Sequence, residues 1–96
     1  MFIISLTYKV PIEMVDCHLD AHVAWLNQGL ADGWLLMAGR KEPRTGGILI
    51  ARGERDMVTQ KAATDPFVVH GVADFEITEF VPSRAAPDVM LESLAP

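Results

Sequence analysis

Two histidines on one predicted helix are the first side chains in the sequence that could do chemistry. His18 and His22 are four positions apart, so they share one side of a helix. Such a pair could begin a metal site, but that site needs a third ligand, and the chain has neither an HExxH pattern nor a nearby acid at a fixed spacing. His18 otherwise fits a surface position. His22 lies beside Leu19 and Val23, so it is either a hydrogen-bonded histidine at the edge of the core or a catalytic base.

Asp65 is the candidate partner of His22. It precedes Pro66 at the predicted end of a second helix, where an aspartate commonly forms a turn by bonding its own downstream amides. If the two helices pack side by side, Asp65 and His22 could face each other. A carboxylate bonded to one ring nitrogen fixes the tautomer and stabilises the imidazolium, which leaves the other nitrogen as a general base. Spacing alone leaves both interpretations of Asp65 open.

A polar loop with the sequence GRKEPRTGG contains three cations, Arg40, Lys41 and Arg44. It could receive an anionic substrate, with Arg40 holding an anionic oxygen, or it could simply be solvated. The loop lacks the strand-to-helix context and the GK[ST] ending of a phosphate-binding loop, and the chain has no GxSxG nucleophile elbow. We therefore predict no cofactor and no metal.

Length and composition limit the class of protein. The chain has 96 residues, 50% of them hydrophobic, and its 8 basic and 13 acidic residues give a net charge of −5. This length allows one domain, and so high an apolar share predicts a homodimer or a higher homo-oligomer. The acidic balance argues against nucleic acid and anionic membranes as partners, because both select for basic patches.

The cysteine count and the N-terminus favour a cytoplasmic protein. The single cysteine, Cys17, cannot form an internal disulfide, which fits a reducing compartment. The first apolar run has no basic leader and is too short for a signal peptide or a membrane span.

The hydrophobic pattern predicts the order strand, helix, strand, strand, helix, strand. The predicted bounds are 2–8, 12–31, 34–38, 48–51, 55–64 and 72–81, with a loop at 39–47 and a turn or short helix at 67–69. Apolar residues recur at steps of three and four through the first helix, and Gly33 suits a left-handed cap at its end. The proline after Asp65 stops the second helix.

This order is that of a split βαβ, or ferredoxin-like, α+β fold. Four strands would form an antiparallel sheet with both helices on one face and the other face bare. We expect the domain to span residues 1–82. Residues 83–96 would form a tail that packs on its own or a partner subunit, with an amphipathic piece at 88–94.

Two stretches of the sequence resemble the YciI-like (YCII-related) proteins. His22 is followed by GWLLMAG at 33–39, which matches a signature of a helical histidine and then G-x-L-L-x-A-G at a fixed interval. The second stretch is DPF at 65–67, followed by GV at 71–72. The match runs to about residue 82. Family members usually have proline after the AG, where this chain has Arg40.

The resemblance implies a ferredoxin-like domain that dimerises as an α+β barrel by joining the bare sheet faces. It also implies His22 and Asp65 as the active-site pair. Most members have no assigned reaction, although one branch looks like cofactor-free lyases that eliminate HCl from chlorinated hydroxyhydroquinones. Fold relatives include muconolactone isomerases and small monooxygenases.

These observations lead to two hypotheses. The first is a small cofactor-free enzyme of lyase or isomerase type acting on a small aromatic or carbonyl-containing molecule. In it His22 is the general base, Asp65 orients it, and Arg40 binds substrate. The alternative is a non-catalytic dimer that binds a small metabolite or serves as a scaffold. A ferredoxin-like nucleic-acid binder fails on net charge and on the missing aromatic pattern of the strands.

Overall fold

The computed structural model describes residues 1–89 of the chain. Its elements are β1 (Phe2–Tyr8), α1 (Ile12–Asp16), α2 (Leu19–Asp32), β2 (Leu35–Arg40), β3 (Gly46–Ala51), α3 (Arg55–Ala62), α4 (Pro66–Val69) and β4 (Ala73–Glu79). The strands form one antiparallel sheet in the order β2-β3-β1-β4, and the helices pack against one of its faces. The predicted α+β ferredoxin-like fold is confirmed.

The core lies between the helices and the central strands. Side chains of β1 alternate, so Phe2, Ile4 and Leu6 are buried toward the helices while Ile3 and Ser5 point to the opposite face. A main cluster joins these residues to β2, β3 and α3, and a smaller one sits beside α1 and α4. The buried members of the smaller cluster are Val15, Phe67, Val72 and Ala73. This second cluster supports the end of the sheet where the candidate site lies.

The segment predicted as one helix over 12–31 forms two. Helix α1 ends at Asp16, and the amide of His18 donates to the carbonyl of Val15 at 2.9 Å, three residues back rather than four. A turn of that kind is tighter than an α-helical turn, so it changes the phase of the helix that follows. Helix α2 then ends as predicted, with Gly33 in the left-handed region at φ 85°.

The hairpin of β2 and β3 is longer than its hydrophobic residues indicated. β2 continues to Arg40 and β3 begins at Gly46, so the connection is shorter than the predicted 39–47 loop. Gly46 and Gly47 let β3 continue its pairing with β1, because two backbones can approach closely where no side chain lies between them. A Cβ at Gly46 would overlap the carbonyl oxygen of Leu6. The longer hairpin places Arg40 in a strand rather than in a loop.

The remaining elements follow the predicted order with shorter bounds. The second predicted helix ends at Ala62, the turn at 67–69 is the short helix α4, and the last strand covers Ala73–Glu79. Residues 83–89 are exposed and lie outside any strand or helix, and most of the predicted amphipathic piece at 88–94 lies outside the described residues. Within residues 1–89, no helix is long and apolar enough to cross a membrane.

Candidate active site

Helix α2 turns a histidine toward the sheet. The apolar residues that recur along this helix include Val23 and Leu30, but they are 43% and 42% exposed. The inward face instead carries His22 and Gly29, which are buried, with Leu26 half-buried between them. This set keeps the helical spacing of four and three residues, with His22 in place of Val23 and Gly29 in place of Leu30. It places a polar ring in the interior.

Asp65 is held by the start of α4. It is the residue before the helix, Pro66 occupies the first turn, and Asp65 Oδ1 accepts a hydrogen bond from the amide of Phe67 at 3.0 Å. This is a helix cap, so the turn-forming role considered from the sequence is present. The side chain is 0% exposed, which is unusual for an aspartate and requires a compensating partner.

That partner is His22. The Nδ1 atom of His22 lies 2.8 Å from Asp65 Oδ1, and the two residues are 8% and 0% exposed. An ionised carboxylate only accepts hydrogen bonds, so the neutral imidazole donates its Nδ1–H and carries its lone pair on Nε2. Nε2 has no partner among the described residues. The geometry therefore combines an oriented imidazole with a free basic nitrogen.

Aromatic rings fix the plane of His22. The Phe67 ring stacks on the imidazole with centroids 3.9 Å apart and planes at 8°. Tyr8 meets Phe67 edge-on at 5.8 Å, so the stack is braced from β1 as well. Phe67 thus acts twice, through its amide on Asp65 and through its ring on His22. Because both contacts come from α4, that short helix sets the relative position of the two site residues.

His22 lines a cavity between α2 and the sheet. Its volume is about 190 Å³. Its lining residues are Leu6, Tyr8, Leu19, His22, Val23, Leu26, Ala38, Gly39, Arg40, Arg44, Gly46, Gly47, Leu49 and Phe67. An apolar cavity of about 150 Å³ can hold benzene, so this one accommodates a single ring with small substituents. Mostly apolar walls with a few polar groups are typical of small-molecule sites.

Two of the three loop cations reach this cavity. Arg40 is exposed at its rim, at the end of β2. Arg44 is more constrained, because its guanidinium donates to Asp16 Oδ1 at 2.7 Å and lies over the Tyr8 ring, 5.8 Å from its centroid. Lys41 is directed elsewhere and donates to the hydroxyl of Thr7 at 3.2 Å. The hydrogen bond to Asp16, followed by the interaction with Tyr8, raises the pKa of Arg44 above its usual value.

Comparison with known proteins places the chain in a family. The model of the YCII-related domain matches residues 1–81. The chain belongs to the YCII-related domain family. This confirms the resemblance drawn from the motifs around His22 and Asp65. No curated protein matches this YCII-related chain.

A solved structure shares the fold of this YCII-related domain. It is 5-chloro-2-hydroxyhydroquinone dehydrochlorinase from Burkholderia phenoliruptrix AC1100, in complex with 2,5-dihydroxybenzoquinone. The TM-score is 0.70 at 19% sequence identity, and the match covers 86% of this chain and 96% of the other. Similarity at this level of identity shows the fold.

The other histidines of the YCII-related domain lie apart from the cavity. His18 stacks on His70, with centroids 4.1 Å apart and planes at 10°, whereas His22 pairs with Asp65. Within residues 1–89, no three His, Cys, Asp or Glu side chains are grouped so that they could hold a metal ion, so the two-histidine site considered from the i, i+4 spacing has no third ligand there.

Two residues of the site, Tyr8 and Phe67, were not predicted from the sequence. Tyr8 ends the same alternating face of β1 as Leu6, and that period of two could have placed it on the cavity wall. Phe67 was recognised as part of DPF, but its stacking on His22 depends on the path of α4, which no local pattern encodes. Asp65 and His22, by contrast, were both identified as site candidates from the sequence.

Proposed function

We propose that this YCII-related protein is a small enzyme of lyase or isomerase type in which His22 is the general base. The observation that carries the proposal is the buried His22–Asp65 pair on the wall of a ring-sized apolar cavity. The Asp65 carboxylate stabilises the imidazolium that forms when Nε2 accepts a proton. Low exposure strengthens that stabilisation, because little water screens the pair.

The chemistry begins with removal of a proton from a hydroxyl group or from a carbon beside a carbonyl. In an elimination, the freed electron pair forms a new double bond, and the leaving group departs with the electrons of its own bond. The proton stays on His22 until solvent removes it. In an isomerisation, protonated His22 returns the proton to another carbon. Neither route needs an oxidant or a reductant, so the chain's own residues suffice.

The similar structure supports this class of reaction. It is named a dehydrochlorinase, and loss of HCl is an elimination of the kind described. Its bound ligand is a six-membered ring, which agrees with the size of the cavity here. We therefore propose a small aromatic or carbonyl-containing ring as substrate. Arg40, at the rim, is proposed to contact an anionic oxygen of that substrate.

We also propose that the protein is a homodimer joined through the sheet face opposite the helices. Alternation along the strands puts Ile3, Ile48 and Ile50 on that face, and all three are half-buried. Met37, paired with Ile50, is 58% exposed. A second copy would cover this apolar surface. An Ile50→Glu variant should be monomeric by light scattering, and a monomeric wild type would contradict the proposal.

The test of the base is turnover of a panel of hydroxylated and chlorinated ring compounds in D₂O, followed by NMR. Wild type should exchange a ring or hydroxyl-adjacent proton, or release the leaving group, for at least one compound. His22→Gln should lower that rate by about 10²–10⁴-fold, as expected for loss of a positioned base.

The matched control is His18→Gln, which changes a histidine outside the cavity and should leave the rate unchanged. Wild-type turnover by His22→Gln would contradict the proposed base. Binding of ring compounds without any turnover by wild type would favour the non-catalytic alternative, a dimer that binds a small metabolite.

A further inference from the structure

The charged groups of the cavity all have one sign, although the protein is acidic. The net charge of the chain is −5, yet the only charged side chains lining the cavity within residues 1–89 are Arg40 and Arg44. Asp65 lies behind His22 and does not line the cavity. A concave apolar surface with cations and no facing carboxylate attracts an anion, because the low-dielectric walls focus the positive potential.

Arg44 is held in position for that anion more firmly than Arg40. Arg44 is tied to α1 by Asp16 and lies over the Tyr8 ring, so its guanidinium has lost much of its freedom before any ligand arrives. Arg40 makes no side-chain hydrogen bond or ion pair with a described residue, and it is exposed. A preorganised donor loses less conformational entropy on binding than a mobile one.

Arg44 also has N–H donors that its ion pair does not use. The ion pair with Asp16 uses one terminal nitrogen of a group that carries five N–H donors. Its Nε is buried and has no hydrogen-bond partner among the described residues. Arg44 lines the cavity, so the terminal N–H donors that its ion pair does not use are the ones that can serve an acceptor placed there.

From these observations we infer that Arg44 determines specificity by binding an anionic oxygen of a single-ring ligand in the cavity that His22 also lines. The oxygen belongs to a carboxylate or to an ionised phenol or enol, which present the same acceptor chemistry to a guanidinium. The cavity volume of about 190 Å³ limits the ligand to one ring. The inference rests on the proposed function only in assigning this cavity as the substrate site.

The test compares anionic ring compounds with neutral ring compounds of similar size. The carboxylate arm titrates the full chain with 4-hydroxybenzoate and with 4-hydroxybenzamide by calorimetry. The enol arm uses 2,5-dihydroxybenzoquinone, which is ionised at neutral pH, against neutral hydroquinone. Wild type should bind the anion of at least one pair about tenfold or more tightly than its neutral counterpart. The arm that shows the preference identifies the source of the anionic oxygen.

Arg44→Gln should bind the anion and its neutral counterpart with about equal affinity. Arg44→Lys should retain part of the preference, because the charge remains without the planar guanidinium. Arg40→Gln should reduce it by less. The matched control is Arg55→Gln, which removes an arginine paired with Glu79 outside the cavity and should leave the preference intact.

The anion preference can be tested independently of the role of His22 as a base. His22→Gln should keep the anion preference even where turnover is lost, because Arg44 and its partner Asp16 are unchanged. An unchanged preference in Arg44→Gln would overturn the inference, and so would equal binding or no binding of the anions and neutral ligands by wild type.

Discussion

Replacing Asp65 by alanine tests the architecture of the site through stability. The substitution removes two hydrogen bonds on one carboxylate oxygen, from His22 Nδ1 at 2.8 Å and from the Phe67 amide at 3.0 Å. Loss of a helix cap costs about 0.5–2 kcal/mol. Loss of a hydrogen bond to a charged group costs about 1.5–3 kcal/mol. We therefore expect Asp65→Ala to lower the free energy of unfolding by about 2–5 kcal/mol.

Urea unfolding followed by far-ultraviolet circular dichroism measures this loss, with an unchanged slope as the check on two-state behaviour. A double-mutant cycle with His22→Ala should return a coupling free energy of about 1.5–3 kcal/mol, since His22 contributes only one of the two bonds. Asp65→Asn keeps an acceptor oxygen of the same shape. It should therefore lose about 1 kcal/mol, the difference between a hydrogen bond to a charged acceptor and one to a neutral acceptor.

The control is Asp74→Ala, because Asp74 has an exposed side chain and bonds Lys9 at 3.0 Å on the surface. Such pairs contribute little, so this variant should change stability by less than about 1 kcal/mol. If Asp65→Ala is no more destabilising than Asp74→Ala, or if the coupling with His22 is near zero, then Asp65 does not hold the site together as described.

Three further predictions concern packing and charge. Gly46→Ala should destabilise the protein by about 1–3 kcal/mol or more in urea unfolding, because its Cβ would overlap the backbone of Leu6. An unfolding midpoint equal to that of the wild type would contradict this close approach. Gly29→Ala places a Cβ 3.1 Å from the Trp34 ring, so the packing strain should offset the gain in helix propensity of about 1 kcal/mol, and a full gain in stability would argue against this contact. Arg44 has a raised pKa, so its charge is complete below the ordinary arginine pKa and would be lost only above it. Anion preference measured by calorimetry should accordingly stay constant between about pH 7 and about pH 8, where the phenol groups of the neutral ligands remain largely protonated, and a decline in that range would contradict the role of Arg44.

The order of elements could be predicted because each has its own local signal. Strand β1 is marked by apolar and β-branched residues, and α2 ends where Gly33 permits a left-handed cap. A glycine inside a helix is unfavourable by propensity, and the reason for Gly29 is tertiary, since the Trp34 ring packs against the space where a side chain would be. The break in the first helix and the length of the hairpin also depend on packing, so local patterns did not give them.

The site could be predicted only in part for a similar reason. His22 and Asp65 stood out because each is a polar residue at a helical position that a ferredoxin-like fold brings near the other. The fixed guanidinium of Arg44 depends on Asp16 and Tyr8, which lie 28 and 36 positions away in the chain. No pattern within the loop indicates which of its cations is held in place. The residue predicted to bind substrate was therefore the exposed Arg40.

The central claim is that Asp65 fixes His22 with its proton on Nδ1 and a free lone pair on Nε2. Long-range ¹H–¹⁵N correlation NMR of the ¹⁵N-labelled protein reads this tautomer directly, and the loss of signals in His22→Gln assigns them among the three histidines. At a pH where the ring is neutral, we predict a protonated Nδ1 and an unprotonated Nε2. A ring protonated on Nε2, or one that exchanges freely between tautomers, would contradict the account.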